Sequence, residues 1–334
     1  MPSTFVKRTP AFDRANTPID LLERQELSPE MMAYLWLAME MKMSVLFCGP
    51  PDVEKPKFLN AVAYFVPQGA RVASISQRHT WTAPHGNWYD AKCEDWKDLK
   101  PYMSDPAVKQ SEYVFLEKLQ GAAVCAAPLL AMEKRAVCAT VDVDGGFDEF
   151  VESVTGPPLG MPKVQFTAIH VVASVQDVSK TMLKADSTRI ISDSTAKVTT
   201  LTELVGYNTI EDKLIVNEPY WWEMRGKKIV KKPYGWFFFT GHSFLYEEAM
   251  ETWKWTGEQM DKEILRRIDF LRWLFHRNKR KPEEIVSETA AYAKSPETVA
   301  EKCRDELKDV SLPLDGKHDD GTPLPRKKAR LRAV

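Results

Sequence analysis

Residues 44–67, SVLFCGPPDVEKPKFLNAVAYFVP, decide how this chain folds. SVLF is a short apolar β run, CGPPDVE has loop chemistry, and KPKFLNAVAYFV has helical apolar spacing. A strand passing through a glycine-containing loop into a helix is the geometry of a phosphate cradle. Gly49 and Lys55 hold the spacing of the pattern G-x-x-x-x-G-K-[ST]. The loop chemistry departs from it. Pro50 and Pro51 carry no N–H, Glu54 stands at the second glycine, and Pro56 stands where a hydroxyl would bind magnesium. Glu54 would repel a triphosphate, at roughly 4 kcal/mol for unit charges about 4 Å apart in a medium of effective dielectric about 20. Lys55 is expected to pair with Glu54 or Asp52.

Outward from this loop, strand and helix alternate. ARVASIS (70–76), SEYVFLE (111–117), RAVCATVDV (135–143) and HVVASVQ (170–176) are β runs separated by helical stretches, which predicts a largely parallel sheet covered on both faces. Upstream, Thr17-Pro18 and Ser28-Pro29 each set a capping hydroxyl before a proline at the first helical position. From about residue 200 the chain turns aromatic and β-rich, and two amphipathic helices are expected near 245–278 and 282–308. The organisation expected is an extended arm over 1–16, a core over 17–200, a β-hairpin and helical portion of the same domain over 201–308, and a disordered, basic-ended tail over 309–334.

The bulk numbers narrow the function classes. With 46 basic and 47 acidic residues among 334, the whole chain has no charge excess to attract nucleic acid. Five scattered cysteines without C-x-x-C spacing predict reduced thiols in a cytoplasmic setting. No leader pattern opens the chain and no apolar run approaches the ~18 residues of a membrane span, so membrane contact is expected only through partners.

The surroundings of the loop carry a resemblance. TPIDLLERQELSPEMMAYLWLAMEMKMSVLFCG (17–49) closely resembles the archaeal branch of the type II/type IV secretion ATPase family, the hexameric motors of archaella and archaeal pili. ARVASISQRHTWTAPHGNWYD (70–90) is similar to the family's acidic box and its LPHENW stretch. SEYVFLEKLQG (111–121) resembles its Walker B strand, AVCATVDVD (136–144) its histidine box, and TGPPLGMPKVQFTAIHVVASVQ (155–176) its PPINVPR segment. The likeness runs in order from about residue 5 to about 290. It implies a RecA-like P-loop NTPase core, a β-rich and helical C-terminal extension, and a membrane platform protein or a motor paralogue as partner.

The departures fall on the chemistry. The acidic-box carboxylates become Ser76 and Gln77, the Walker B glutamate becomes Lys118, the arginine two places on becomes Gln120, and the box histidine becomes Asp142. Glu117, one residue early on a strand, is expected to face the opposite way. Phosphoryl transfer needs a placed metal, positive charge and an oriented water. The expectation is a pseudo-ATPase with no catalytic residues, no metal and no required cofactor, and a vestigial nucleotide site at Gly49, Asp52 and Lys55. ATP with magnesium in an altered pose is the alternative. Asp142 and Asp144 are expected to pair with Lys118 across the old site. The family's large N-terminal domain is expected to be essentially absent.

Other candidates have plainer readings. His79, His85 and Cys93 match no metal-ligand spacing, and DVDGGFDEF (142–150) lacks most positions of a calcium loop. RGKKIVKKPYGW (225–236) interleaves basic and aromatic residues as a nucleic-acid platform would, but reads first as a hairpin with a basic turn. The basic tail carries Arg326, Lys327, Lys328, Arg330 and Arg332, which suits anionic lipid or an acidic partner, or solubility alone.

Overall fold

The computed structural model describes residues 6–8, 16–77, 87–178, 196–224, 235–308, 310 and 331–333. The expected α/β class is the observed one, with a parallel run of strands at the centre of the sheet. The parallel part is built from β2 (Val45–Gly49), β3 (Val72–Ser76), β4 (Trp88–Lys92), β5 (Tyr113–Leu119), β6 (Ala136–Asp142) and β7 (Val171–Asp177), in the order β4-β3-β5-β6-β2-β7. β1 (Val6–Arg8) adds antiparallel to β4 at one edge. At the other edge the sheet continues antiparallel through β8 (Ala196–Asn208), β9 (Lys213–Met224) and β10 (Gly235–Phe239). β11 (Leu331–Ala333), in the stretch expected to be a tail, shares the outer edge of β9 with β10.

The pleat sorts the strand residues into two cores. Val45 and Phe47 enter one, with Tyr113, Phe115, Ala136, Cys138, Val171 and Ala173. Leu46 and Cys48 enter the other, with Val114, Leu116, Val137, Ala139 and Val172. This period of two is why each strand is apolar throughout: both faces are covered. The first face is covered by α1 (Pro18–Glu23), α2 (Pro29–Glu40) and α3 (Pro56–Ala63). The second is covered by α4 (Leu99–Met103), α5 (Pro106–Lys109), α6 (Ala126–Met132) and α7 (Phe147–Thr155). The predicted caps form. The Thr17 hydroxyl accepts from the Asp20 N–H at 3.3 Å, the Thr17 N–H donates to Asp20 at 2.9 Å, and the Ser28 hydroxyl accepts from the Met31 N–H at 3.2 Å.

The two expected C-terminal helices are four: α8 (Phe244–Trp253), α9 (Gly257–His276), α10 (Pro282–Lys294) and α11 (Pro296–Leu307). The first break is made by Lys254, which takes a left-handed conformation (φ 57°) and caps α8 by donating its N–H to the Met250 carbonyl. The second falls at Ser295 before Pro296, as a proline requires. No helix among the described residues is long and apolar enough to cross a membrane.

Candidate functional site

β2 ends at Gly49, where the loop begins. The Val53 N–H closes a turn onto the Pro50 carbonyl at 3.1 Å, and Pro56 then starts α3. Gly49 has a packing reason to be glycine: a Cβ there would lie 2.0 Å from the Val175 carbonyl oxygen on the adjacent β7. Gly49→Ala is therefore expected to destabilise the fold by about 1–3 kcal/mol, because backbone rather than a movable side chain must yield. Urea unfolding checks this, and a change below about 0.5 kcal/mol would refute the close approach.

Lys55 is the centre of the site. Its side chain is 1% exposed, and its ammonium forms an ion pair with Asp142 at 2.8 Å. The same nitrogen donates to the carbonyls of Gly49 (2.9 Å), Pro50 (2.5 Å) and Val53 (3.4 Å). Sheet register makes the pairing possible, since Gly49 and Asp142 stand opposite each other on parallel β2 and β6. Gln120 donates to the second Asp142 oxygen at 2.9 Å. The expected partners of Lys55 are thus corrected: Asp52 and Glu54 are exposed on the loop, and Lys55 instead reaches a residue 87 positions away in the chain. The expected pairing of Lys118 with Asp142 and Asp144 is corrected by the same contacts, for Asp142 is held by Lys55 and Gln120 while Asp144 is exposed.

Lys118 occupies a β-bulge. Leu116 pairs with Ala139 and Leu119 with Val141, so β5 uses three steps where β6 uses two. Lys118 absorbs the extra residue at φ 57°, and its N–H donates to the Thr140 hydroxyl at 2.6 Å. Leu116 and Leu119 consequently enter the same core although three apart. Strict alternation therefore fails here, and the argument that Glu117 must face away from Lys118's side does not hold across a bulge. Ser76 is buried at the end of β3, where its carbonyl accepts from the Cys93 N–H at 2.9 Å, and Gln77 follows half-buried.

The chemistry these groups support is limited. The carbonyl oxygens of Gly49, Pro50 and Val53, with the Asp142 carboxylate from the end of β6, are directed at a cation that the chain itself supplies. Phosphate recognition needs N–H donors in that place.

Among the described residues no group of three or more His, Cys, Asp or Glu side chains is placed to hold a metal. His79 and His85 lie outside the described residues. Cys93 is buried; its thiol donates to the Asp95 carbonyl at 3.1 Å and burial pushes it up to about 11. The acidic run 142–150 resolves into the end of β6, a turn and the start of α7, where Glu149 accepts from the Gly146 N–H at 2.8 Å. Residues 225–234 of the basic hairpin and the basic residues of the tail up to Arg330 also lie outside the described residues.

Two buried polar clusters had no motif to announce them. Glu203 on β8 is 3% exposed and accepts five hydrogen bonds, from Tyr34, Asn217, Ser243 and the N–H groups of Phe244 and Leu245. Arg267 on α9 is 2% exposed and donates to Glu263 (2.9 Å) and Glu40 (2.7 Å).

No protein-family profile matches this chain. An uncharacterized protein of Methanocaldococcus jannaschii is 22% identical over 284 residues, covering 82% of this chain and 97% of that protein. The structure is similar to the VirB11 ATPase of the Brucella suis type IV secretion system, solved with sulphate (TM-score 0.38, 13% identity, 51% of this chain and 56% of that one). It is also similar to the pilus retraction motor PilT with bound ADP (TM-score 0.37, 14% identity, 46% and 47%) and to the Legionella pneumophila ATPase DotB (TM-score 0.35, 10% identity, 83% and 60%). The aligned part thus spans between about half and three fifths of each of these solved chains.

Proposed function

We propose that this chain is a catalytically silent relative of the type II/type IV secretion motors, a cytoplasmic structural or regulatory subunit of an archaeal secretion, pilus or archaellum assembly apparatus. Its partners in this reading are an active motor paralogue or the membrane platform protein. The observation that carries the reading is the burial of Lys55 against Asp142 and the carbonyls of its own loop. A lysine so held is withdrawn from phosphate, and Asp142, at the position of the family's box histidine, is the residue that holds it. The residues do not fit magnesium-nucleotide: Pro56 offers no hydroxyl, Pro50 and Pro51 offer no N–H, and Lys118 brings an ammonium where a water-orienting carboxylate belongs.

Calorimetric titration of Mg-ATP into the purified chain tests this, at concentrations able to detect a dissociation constant of ~1 mM (about −4 kcal/mol). The expected result is no saturable heat. Saturable heat that Lys55→Ala abolishes would sink the silent reading and favour a nucleotide-binding member of the same family.

A further inference from the structure

β9 is paired with β8 on one side, and its other side is shared by two strands. β10 runs opposite residues 220–224. After Phe239 the chain turns toward α8, with the Thr240 N–H donating to the Pro219 carbonyl at 2.9 Å. Opposite residues 215–217 the place is taken by β11, with Leu331 paired to Asn217, Arg332 to Val216 and Ala333 to Ile215. The gap between the two outer strands falls at Glu218 and Pro219, where proline offers no N–H to a neighbour. Without β11, the backbone of residues 215–217 would form an open sheet edge beside the buried Leu214 and Val216, the kind of edge that recruits a strand.

The strand that closes this edge is short and lies at the end of a long connection. β11 is held by a register of three residue pairs, and so small a unit at a chain end opens readily. Residues 311–330 join it to the end of the helical portion. A connection of about 20 residues reaches at most ~70 Å when fully extended. A domain of this length has a radius of gyration of about 20 Å, so the same strand can reach β9 of a neighbouring copy. Backbone pairing is identical whether the strand comes from its own chain or from a second one. The tether favours its own edge only through effective concentration, which is on the order of mM for a tethered segment. Where copies stand side by side, exchange costs no contact.

We propose that the outer edge of β9 over residues 215–217 is a strand-docking site, and that a second copy of this chain supplies its own C-terminal strand to it in exchange for the resident one. The added strand pairs main chain to main chain, antiparallel, as in other strand-addition sites. The exchange is independent of the role proposed for the loop at Lys55.

Disulfide trapping between full chains tests this, because Ile215 and Ala333 are paired positions and Ile215 is half-buried. A chain with Ile215→Cys is mixed with a mass-tagged chain carrying Ala333→Cys and oxidised, each chain alone giving the background from the natural cysteines. The expected result is a mixed covalent dimer that increases with concentration. It should form at least about tenfold faster than when Ile210→Cys, at the 94% exposed hairpin tip, replaces Ile215→Cys. Adding Leu331→Pro and Arg332→Pro to the Ala333→Cys chain should abolish the excess, since proline cannot donate to a ladder. No mixed dimer above background, or equal trapping at Ile210, overturns the exchange. A second measurement does not depend on the cysteine variants. A fluorescent peptide of residues 326–334 should bind the full chain carrying Leu331→Pro and Arg332→Pro at least about tenfold more tightly than the parent chain, whose own strand competes. Absence of saturable binding to the proline chain, or equal binding to both chains, overturns the docking site.

Discussion

Replacing Asp142 by leucine is expected to destabilise the fold by about 3–5 kcal/mol, the usual cost of removing one partner from a buried ion pair. The size follows from what remains. Lys55 is almost fully buried, and after the substitution only the carbonyls of Gly49, Pro50 and Val53 would face its ammonium. Those dipoles soften the charge without neutralising it. The double variant Lys55→Met/Asp142→Leu should recover most of the loss, because an apolar pair of similar volume carries no desolvation penalty. Urea unfolding of the two single variants and the double variant closes the cycle and isolates the pair's coupling. A single-variant loss below about 1 kcal/mol would mean that water reaches the pair, and the loop would then be open enough to admit other ligands. Freeing Lys55 is not expected to restore Mg-ATP binding, since Pro56 and Lys118 would still lack the groups the metal and the water require.

How far residues alone lead depends on the range of the interaction that decides each feature. The apolar runs of β2, β5, β6 and β7 are local, and so are the caps at Thr17 and Ser28; all are legible as pattern. The partner of Lys55 is not local. Asp52 and Glu54 are nearer in the chain, but Asp142 is brought opposite Gly49 by strand register, which depends on the packing of the whole sheet. The bulge at Lys118 escapes pattern for a related reason. One extra residue between Leu116 and Leu119 leaves composition and length unchanged while reversing which side chains share a face. The break at Lys254 lacks the glycine that normally marks a helix end, so a continuous helix over 245–278 was the natural expectation. Arg267 sits in a helix with an ordinary charged face, and only the packing of α2 and α10 against it turns a surface-type residue into a buried one.

Glu203 is the clearest case of a residue whose importance no motif signals, and its replacement should be among the most damaging in the chain. One carboxylate oxygen accepts from Tyr34 (2.9 Å), Ser243 (2.6 Å) and the Leu245 N–H (3.1 Å), the other from Asn217 (2.7 Å) and the Phe244 N–H (2.9 Å). The donors come from α2, β9 and the first turn of α8, so one anion on β8 fastens three elements. Its place at the N-terminus of α8 adds a favourable interaction with the helix dipole. Burial, with the Glu203 charge adding to it, drives the Tyr34 hydroxyl well above its usual range, so Tyr34 stays a donor. Glu203→Gln keeps the shape but turns one acceptor into a donor facing donors, which should cost about 3 kcal/mol; Glu203→Ala, which orphans all five donors, should cost more. Hydrogen exchange at the Phe244 and Leu245 amides should accelerate in both variants even where the rest of the sheet is protected. A Glu203→Gln chain within about 0.5 kcal/mol of the parent would show that water replaces the carboxylate, and the anion would lose its structural role. A carboxylate has about four lone-pair sites, and five donors already crowd these two oxygens. Glu203 therefore has no acceptor site left for an outside donor, and its burial belongs to the joint between the parallel core and the C-terminal helices.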